Sequence, residues 1–202
     1  MVTGFDSLAL HQTKGILMIN KTTSLLDLVK VYNAIPNSSC SNIIKRSADL
    51  TWHTHFWTGY SNIKDSPSTN TEFLRAKIDN LMKLELVPVI NECISNYKIE
   101  MDIEINGSSH PNLNRYDVGT MMLPHHDHIR SLFSGPIKGI PILSVVGLLN
   151  DDFEGGEFVF WNDEVIKLVA GDVLIFPSLF AYEHQVNMIT KGSRYSFVSW
   201  AY

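Results

Sequence analysis

Cysteine is nearly absent: the 202 residues hold two, Cys40 and Cys93, far apart and outside any Cys-x-x-Cys pattern. This excludes a disulfide framework and a zinc–thiolate site, and predicts two buried, reduced thiols. Positive charge is also scarce. Sixteen Lys and Arg against 21 Asp and Glu leave a formal net charge of −5, so there is no basic field to release counterions from phosphates, and no nucleic-acid partner is indicated. Long apolar runs are missing as well. The most apolar stretch, Gly139 to Leu149, is too short to span a bilayer, and Met1-Val-Thr-Gly-Phe-Asp lacks the charged and apolar segments of a signal peptide. The expectation is a cytoplasmic protein with no membrane association. The sequence shows no internal repeat and no low-complexity tract.

What is present is apolar residues, 45% of the chain, enough for one substantial core, so residues 1–202 are read as a single domain. The pattern changes near residue 98. Residues 1–98 read as a mostly helical buttress with a first strand. Ile16 to Ile19 suggest that strand, and Thr23-Ser24 can cap a helix through Leu25, Leu26, Leu28, Val29 and Val31. Pro36 ends it, Ser38-Ser39 start a second, and Thr71-Glu72 open a long third whose stripe runs from Phe73 and Ile78 through Leu81, Met82, Leu86, Val89, Ile90, Cys93 and Ile94. The segment Trp57 to Asn70, rich in Gly, Ser, Asn and Pro, reads as a loop, as does Arg130 to Lys138 after the histidine cluster. Both are expected to gate a substrate.

From residue 99 onward the period is two. Strands are expected over 99–105, 113–116, 140–149, 157–160, 165–168, 172–176, 184–189 and 195–200, with turns at Asn150 to Gly156 and Val169 to Asp172. Gly155-Gly156 supplies positive-φ positions at little steric cost. Several short, evenly spaced strands argue for a sandwich or barrel, so the fold expected is α+β and mainly β, a jelly roll at 99–202 packed on helices.

Chemistry concentrates at Pro124-His125-His126-Asp127-His128. Along a strand, residues i and i+2 share a face, which leaves two candidate pairs, His125 with Asp127 or His126 with His128. The first suits iron(II), because a facial triad of two histidines and one carboxylate leaves three coordination positions open. His184, at the start of a predicted strand, is the candidate third ligand. Arg194 opens the apolar terminal strand ten positions later. A guanidinium directed into a barrel needs a buried anion, and its planar fork matches a carboxylate such as the distal end of 2-oxoglutarate. Ser196, two residues on, shares its face.

These residues, with Tyr116-x-x-Gly119, Pro124-His125-x-Asp127, Leu149-Asn150, Phe153-Glu154-Gly155-Gly156-Glu157, Gly171-Asp172-x-x-x-Phe176-Pro177-Ser178, His184-x-Val186 and Gly192-x-Arg194, make residues 114–200 resemble the 2-oxoglutarate/iron(II) dioxygenase superfamily, in its prolyl 4-hydroxylase-like branch. The resemblance implies a double-stranded β-helix and oxidative decarboxylation of 2-oxoglutarate to succinate and CO2, coupled to hydroxylation of a C–H bond. It assigns His125, Asp127 and His184 as catalytic iron ligands, Arg194 as the cosubstrate anchor, and Tyr116 as a second donor to it. Ser196, Val186 and Leu148 complete the cofactor-binding set. Iron(II) and 2-oxoglutarate are the implied cofactors, ascorbate a candidate reductant, and a peptide or protein side chain the implied substrate.

The resemblance also directs His126 and His128 outward. Two departures bear on the substrate: Pro141 stands where prolyl hydroxylases of this branch usually carry arginine, and Leu148 where a tyrosine usually meets 2-oxoglutarate. Asp127 is kept where halogenating relatives have a small residue, which favours hydroxylation. The competing readings are hydroxylation of a small molecule, a non-catalytic metal-binding jelly roll and a zinc hydrolase; the last two leave Arg194 without a purpose.

Overall fold

The computed structural model describes residues 24–55, 73–127 and 141–202. The expected strand at Ile16 to Ile19 and both expected loops, Trp57 to Asn70 and Arg130 to Lys138, lie outside these residues. In chain order, a 3-10 turn at Leu25–Leu28 leads to β1 (Lys30–Asn33), α1 (Asn37–Ser47), β2 (His53–Thr54), β3 (Leu74–Lys77) and α2 (Asn80–Met101). The remainder is β4 (Asn112–Tyr116), β5 (Met122–His125), β6 (Leu143–Leu148), β7 (Glu154–Gly155), β8 (Phe158–Phe160), β9 (Glu164–Ile166), β10 (Asp172–Pro177), β11 (His184–Val186), β12 (Ile189–Lys191) and β13 (Arg194–Ala201).

Two antiparallel sheets face each other as a double-stranded β-helix. The larger has the order β1-β10-β6-β13-β4-β3-β2, the smaller β5-β11-β8-β9, and β12 pairs with β7 beside them. Strand alternation assigns each face of the large sheet its role. Leu113, Leu143, Val145, Val173, Ile175, Phe197 and Ala201 face the helices, where α2 buries Met82, Leu86, Ile90, Cys93, Ile94 and Tyr97. The alternate residues Tyr116, Val146, Leu174, Phe176 and Val198 face the small sheet, against Phe158, Phe160 and Val186. The three- and four-residue spacing of the α2 set is the helical stripe expected of it. Cys40 and Cys93 are buried free thiols, and burial pushes Cys93 up to about 11.

Three expectations for local structure need correction. Leu25 to Val31 is not a helix: one 3-10 turn capped by Ser24 gives way to β1, which pairs with β10 from Lys30↔Ile175 to Asn33↔Asp172. Phe73 to Lys77 precede α2 rather than belong to it, because β3 pairs with β4 and Asp79 caps the helix, its carboxylate accepting from the Met82 amide at 2.8 Å. The strand expected at 99–105 is absent. Helix α2 runs to Met101 and ends at Asp102 in the left-handed region, φ 54°, and the alternation there is incidental, since Ile99 is 81% exposed. Residues 24–98 therefore lend the large sheet three strands besides packing helices on it. Gly155 and Gly156 do adopt positive φ, 77° and 70°.

Candidate active site

The last residue of β5 and the first of β11 are paired across the small sheet, His125↔His184, which sets the two imidazole centroids 4.1 Å apart. Each ring is oriented by a backbone carbonyl: His125 Nδ1 lies 2.8 Å from Leu123 O, and His184 Nδ1 lies 3.0 Å from Tyr182 O. A carbonyl can only accept, so Nδ1 carries the proton and Nε2 presents its lone pair. Both Nε2 atoms turn to Asp127, at 3.6 Å for His125 and 3.9 Å for His184. One donor atom from each of the three residues lies within 4.8 Å of the others, the one such metal-capable group of three among the described residues.

Asp127 is fixed from the large sheet. Its Oδ2 accepts from Ser144 Oγ at 2.7 Å and from Trp200 Nε1 at 3.1 Å, and Ser144 Oγ lies 2.6 Å from Ser178 Oγ. Burial opposes ionisation of Asp127, yet the two imidazoles that face it and the Ser144 hydroxyl outweigh burial and hold the carboxyl well below its usual range. His184 moves down to about 4, with burial the leading cause, against the pull of Asp127. The direction that stands for the pair is an ionised Asp127 beside a neutral His184: two lone pairs and a carboxylate converge, and a cation between them would relieve that concentration of negative potential. The residues thus fit a divalent metal of the kind that takes mixed N and O ligands. Phe158 stacks on the His184 ring at 5.2 Å, and Phe176 meets it edge-on at 4.9 Å, closing the site with apolar walls.

Arg194 opens β13 opposite Tyr116 of β4. It is 2% exposed, its Nη1 donates to Ser196 Oγ at 2.8 Å, and its guanidinium lies 5.5 Å from the centre of the Tyr116 ring. Among the described residues it has no carboxylate partner. Burial lowers its pKa, with Tyr116 opposing, while burial pushes Tyr116 up to about 12. Leu148 is buried opposite Ser196 on β6, and Val186 is buried two positions after His184 on the same strand. His126 stays outside the donor group, its Nε2 3.8 Å from Glu183; His128 lies outside the described residues.

Four neighbours of the site were not anticipated. Trp200 and Ser144 could have been found by counting in twos from Arg194 and from Leu148, since they share those residues' inward face. Arg75 and His55 could not, because the register of β2 and β3 depends on pairing with distant β4. His55 lies against Phe73 at 4.7 Å, and Phe73 stacks on Tyr116 at 4.4 Å. Burial, with Arg75 and His125 next in effect, lowers His55 to about 4.

The comparisons with known proteins point to the same half of the chain. Residues 111–202 match the sequence model of the 2OG-Fe(II) oxygenase superfamily. The chain is similar to a PKHD-type hydroxylase of Delftia acidovorans, 31% identical over 100 residues, covering 46% of this chain and 42% of that protein. A PKHD-type hydroxylase of Idiomarina loihiensis is 37% identical over 91 residues, 44% of this chain and 39% of that protein. The matched stretch therefore spans about two fifths of these relatives. Among solved structures, the viral collagen prolyl hydroxylase of Paramecium Bursaria Chlorella virus-1, in its 2OG complex, superposes with a TM-score of 0.61 at 13% identity, covering 86% of this chain and 94% of that one. A Trichoplax adhaerens prolyl hydroxylase, in complex with a hypoxia inducible factor peptide fragment, gives 0.62 at 15% identity, with 87% and 83% covered. At such identities these two show the fold. Among the described residues no helix is long and apolar enough to cross a membrane.

Proposed function

We propose, from the match of residues 111–202 to the 2OG-Fe(II) oxygenase superfamily, that this protein is a 2-oxoglutarate- and O2-dependent hydroxylase in which His125, Asp127 and His184 hold iron(II) and Arg194 holds the cosubstrate. Iron(II), when bound, supplies the activation of O2 that couples decarboxylation of 2-oxoglutarate, giving succinate and CO2, to C–H hydroxylation. The observation that carries this reading is Arg194. A structural metal site needs no buried guanidinium, and a buried cation without an anion is costly enough that a partner is expected to arrive.

The chain's own residues divide the work. His125 and His184 offer Nε2 because their Nδ1 protons are committed to Leu123 O and Tyr182 O. Ser144 and Trp200 hold Asp127 Oδ2, which leaves Oδ1 to the metal. Arg194 donates to the distal carboxylate of 2-oxoglutarate, Ser196 lies within reach of the same group, and Tyr116 lines the same pocket with its phenol protonated. Phe158, Phe176, Val186 and Leu148 exclude water from that pocket.

The substrate we assign is a peptide or protein side chain, in keeping with the prolyl hydroxylases that share the fold, one of them solved with a peptide. Incubation with iron(II), 2-oxoglutarate and O2 should release succinate, and native-cell partners should gain the mass of one oxygen. Absence of 2-oxoglutarate-dependent succinate from metal-replete protein, with or without peptides, would overturn the reading.

A further inference from the structure

The face of the large sheet that carries Arg194 carries a second arginine. Pairing sets Arg75 on β3 opposite Asn114 on β4, Asn114 opposite Ser196 on β13, and Ser196 opposite Leu148 on β6. Directly opposed residues project to one face, so Arg75 lies in the row that holds the cosubstrate residues, two strands from Ser196, or roughly 10 Å at ordinary strand spacing. Its side chain is held in place. The guanidinium lies 5.6 Å from the centre of the Phe73 ring, and Nε donates to Asn114 Oδ1 at 3.0 Å. Among the described residues no carboxylate pairs with it, and its two terminal nitrogens donate to no described acceptor. Burial lowers its pKa, with Tyr116 and Asp127 opposing.

A solvated strand-end arginine would be neither stacked nor held through Nε. Here the inner edge of the fork is fixed and the outer edge, the pair of Nη groups, is presented beside the site, where a planar carboxylate can accept two parallel N–H bonds. We propose that Arg75 is a specificity-determining residue that receives a carboxylate of the substrate, as Arg194 receives that of the cosubstrate. The carboxylate belongs either to a free amino acid or to an acidic peptide. The inference rests on the iron(II) and 2-oxoglutarate reading above; the acidic-peptide outcome narrows the substrate assigned there, and the free-amino-acid outcome replaces it.

The test uses zinc(II)-substituted protein saturated with 2-oxoglutarate, so that Arg194 is occupied and no turnover occurs. Saturation-transfer NMR compares three probes: a pool of N-acetyl amino acids, the matched pool of neutral N-acetyl amino acid amides, and a pool of N-acetyl dipeptide amides with aspartate or glutamate second. One of the two carboxylate pools should bind the wild type about tenfold or more tightly than the neutral amides, and Arg75→Gln should remove that preference. Arg75→Lys should keep part of it. Preference for the first pool identifies an α-carboxylate, as on a free amino acid or a peptide C-terminus, and for the third the side-chain carboxylate of an acidic peptide. Equal binding of neutral amides, no binding of either carboxylate pool, or an Arg75→Gln variant indistinguishable from wild type would each overturn the inference. Calorimetric titration with 2-oxoglutarate separates the two levels. Wild type that fails to bind it sinks the functional reading itself, whereas normal 2-oxoglutarate binding with an indifferent Arg75→Gln sinks only the role of Arg75. If Arg75→Gln fails to fold, as read by circular dichroism, Arg75→Lys carries the comparison.

Discussion

Replacing Arg194 with methionine tests the site at its least ordinary feature. Arg194 is 2% exposed, and among the described residues its guanidinium hydrogen-bonds to Ser196 Oγ beside the Tyr116 ring and meets no carboxylate. Methionine is unbranched and fills similar space without the charge. Exchanging buried ionic groups for apolar ones of like volume is often neutral or stabilising by about 1–4 kcal/mol, so the unliganded variant should be at least as stable as wild type. Binding should behave in the opposite way. Losing one partner of a buried ion pair costs about 3–5 kcal/mol, or roughly a hundred- to several-thousand-fold in affinity for 2-oxoglutarate. At a ligand concentration 100 times its Kd, wild type gains about 2.7 kcal/mol of stability, an upward Tm shift of roughly 5–11 °C for a protein of this size. A variant at least a hundredfold weaker gains about 0.4 kcal/mol or less. The assay is thermal unfolding of metal-loaded protein with and without 2-oxoglutarate, under anaerobic conditions. If Arg194→Met keeps more than half of the wild-type shift, Arg194 is not the anchor. If the unliganded variant loses more than about 2 kcal/mol, the arginine is a structural member of the core and the argument from an unpaired charge is wrong.

Other perturbations separate metal binding from folding. His184→Ala should weaken iron(II) binding by roughly a hundredfold or more while circular dichroism stays native, because even residues that only orient a ligand change metal affinity about 10- to 100-fold; a metal titration within threefold of wild type would exclude His184 as a ligand. Trp200→Phe removes one of the two donors to Asp127 Oδ2 and should weaken metal binding about 10-fold, with 2-oxoglutarate affinity at saturating metal unchanged. Gly147→Ala should destabilise the fold by about 3 kcal/mol or more, since a Cβ there would fall 1.9 Å from Phe197 Cε1; urea unfolding at wild-type stability would show that the Phe197 ring can move aside.

The β-helix was legible because its strands obey one local rule. Alternation on β6, β10 and β13 survives in the sequence since one face packs on the helices and the other on the small sheet, and each residue of Leu143 to Leu148 is buried on one side or the other. The N-terminal strands were not legible, for a physical reason. Strand β1 lies at the edge of the large sheet with Val31 42% exposed, so its apolar positions fit a helical stripe as readily, and only pairing with β10, some 140 positions away, decides the matter. Strand β3 is similar. Phe73 belongs to the site side of the sheet, yet its spacing to Ile78 mimics one more turn of α2.

The site divides along the same line. His125, Asp127, His184 and Arg194 were legible because their chemistry is unusual in a strand, and chemistry is local. Arg75 and Trp200 are ordinary residues until register places them. The arginines make the point. Of those described, Arg46 pairs with Asp79 and Glu85, and Arg115 with Asp117, each a local solution to the burden of a partly buried charge. Arg75 and Arg194 lack any such described partner, and both stand on the one sheet face that looks toward His125, Asp127 and His184. Two held cations with no described anionic partner on a single face, flanking a convergence of metal-ligating atoms, are costly to stability, and in the proposed reading anions that bind beside the metal offset that cost. The cosubstrate we propose is a dicarboxylate, one end of which Arg194 can take, and that leaves Arg75 for a second anion, whose natural source is the substrate.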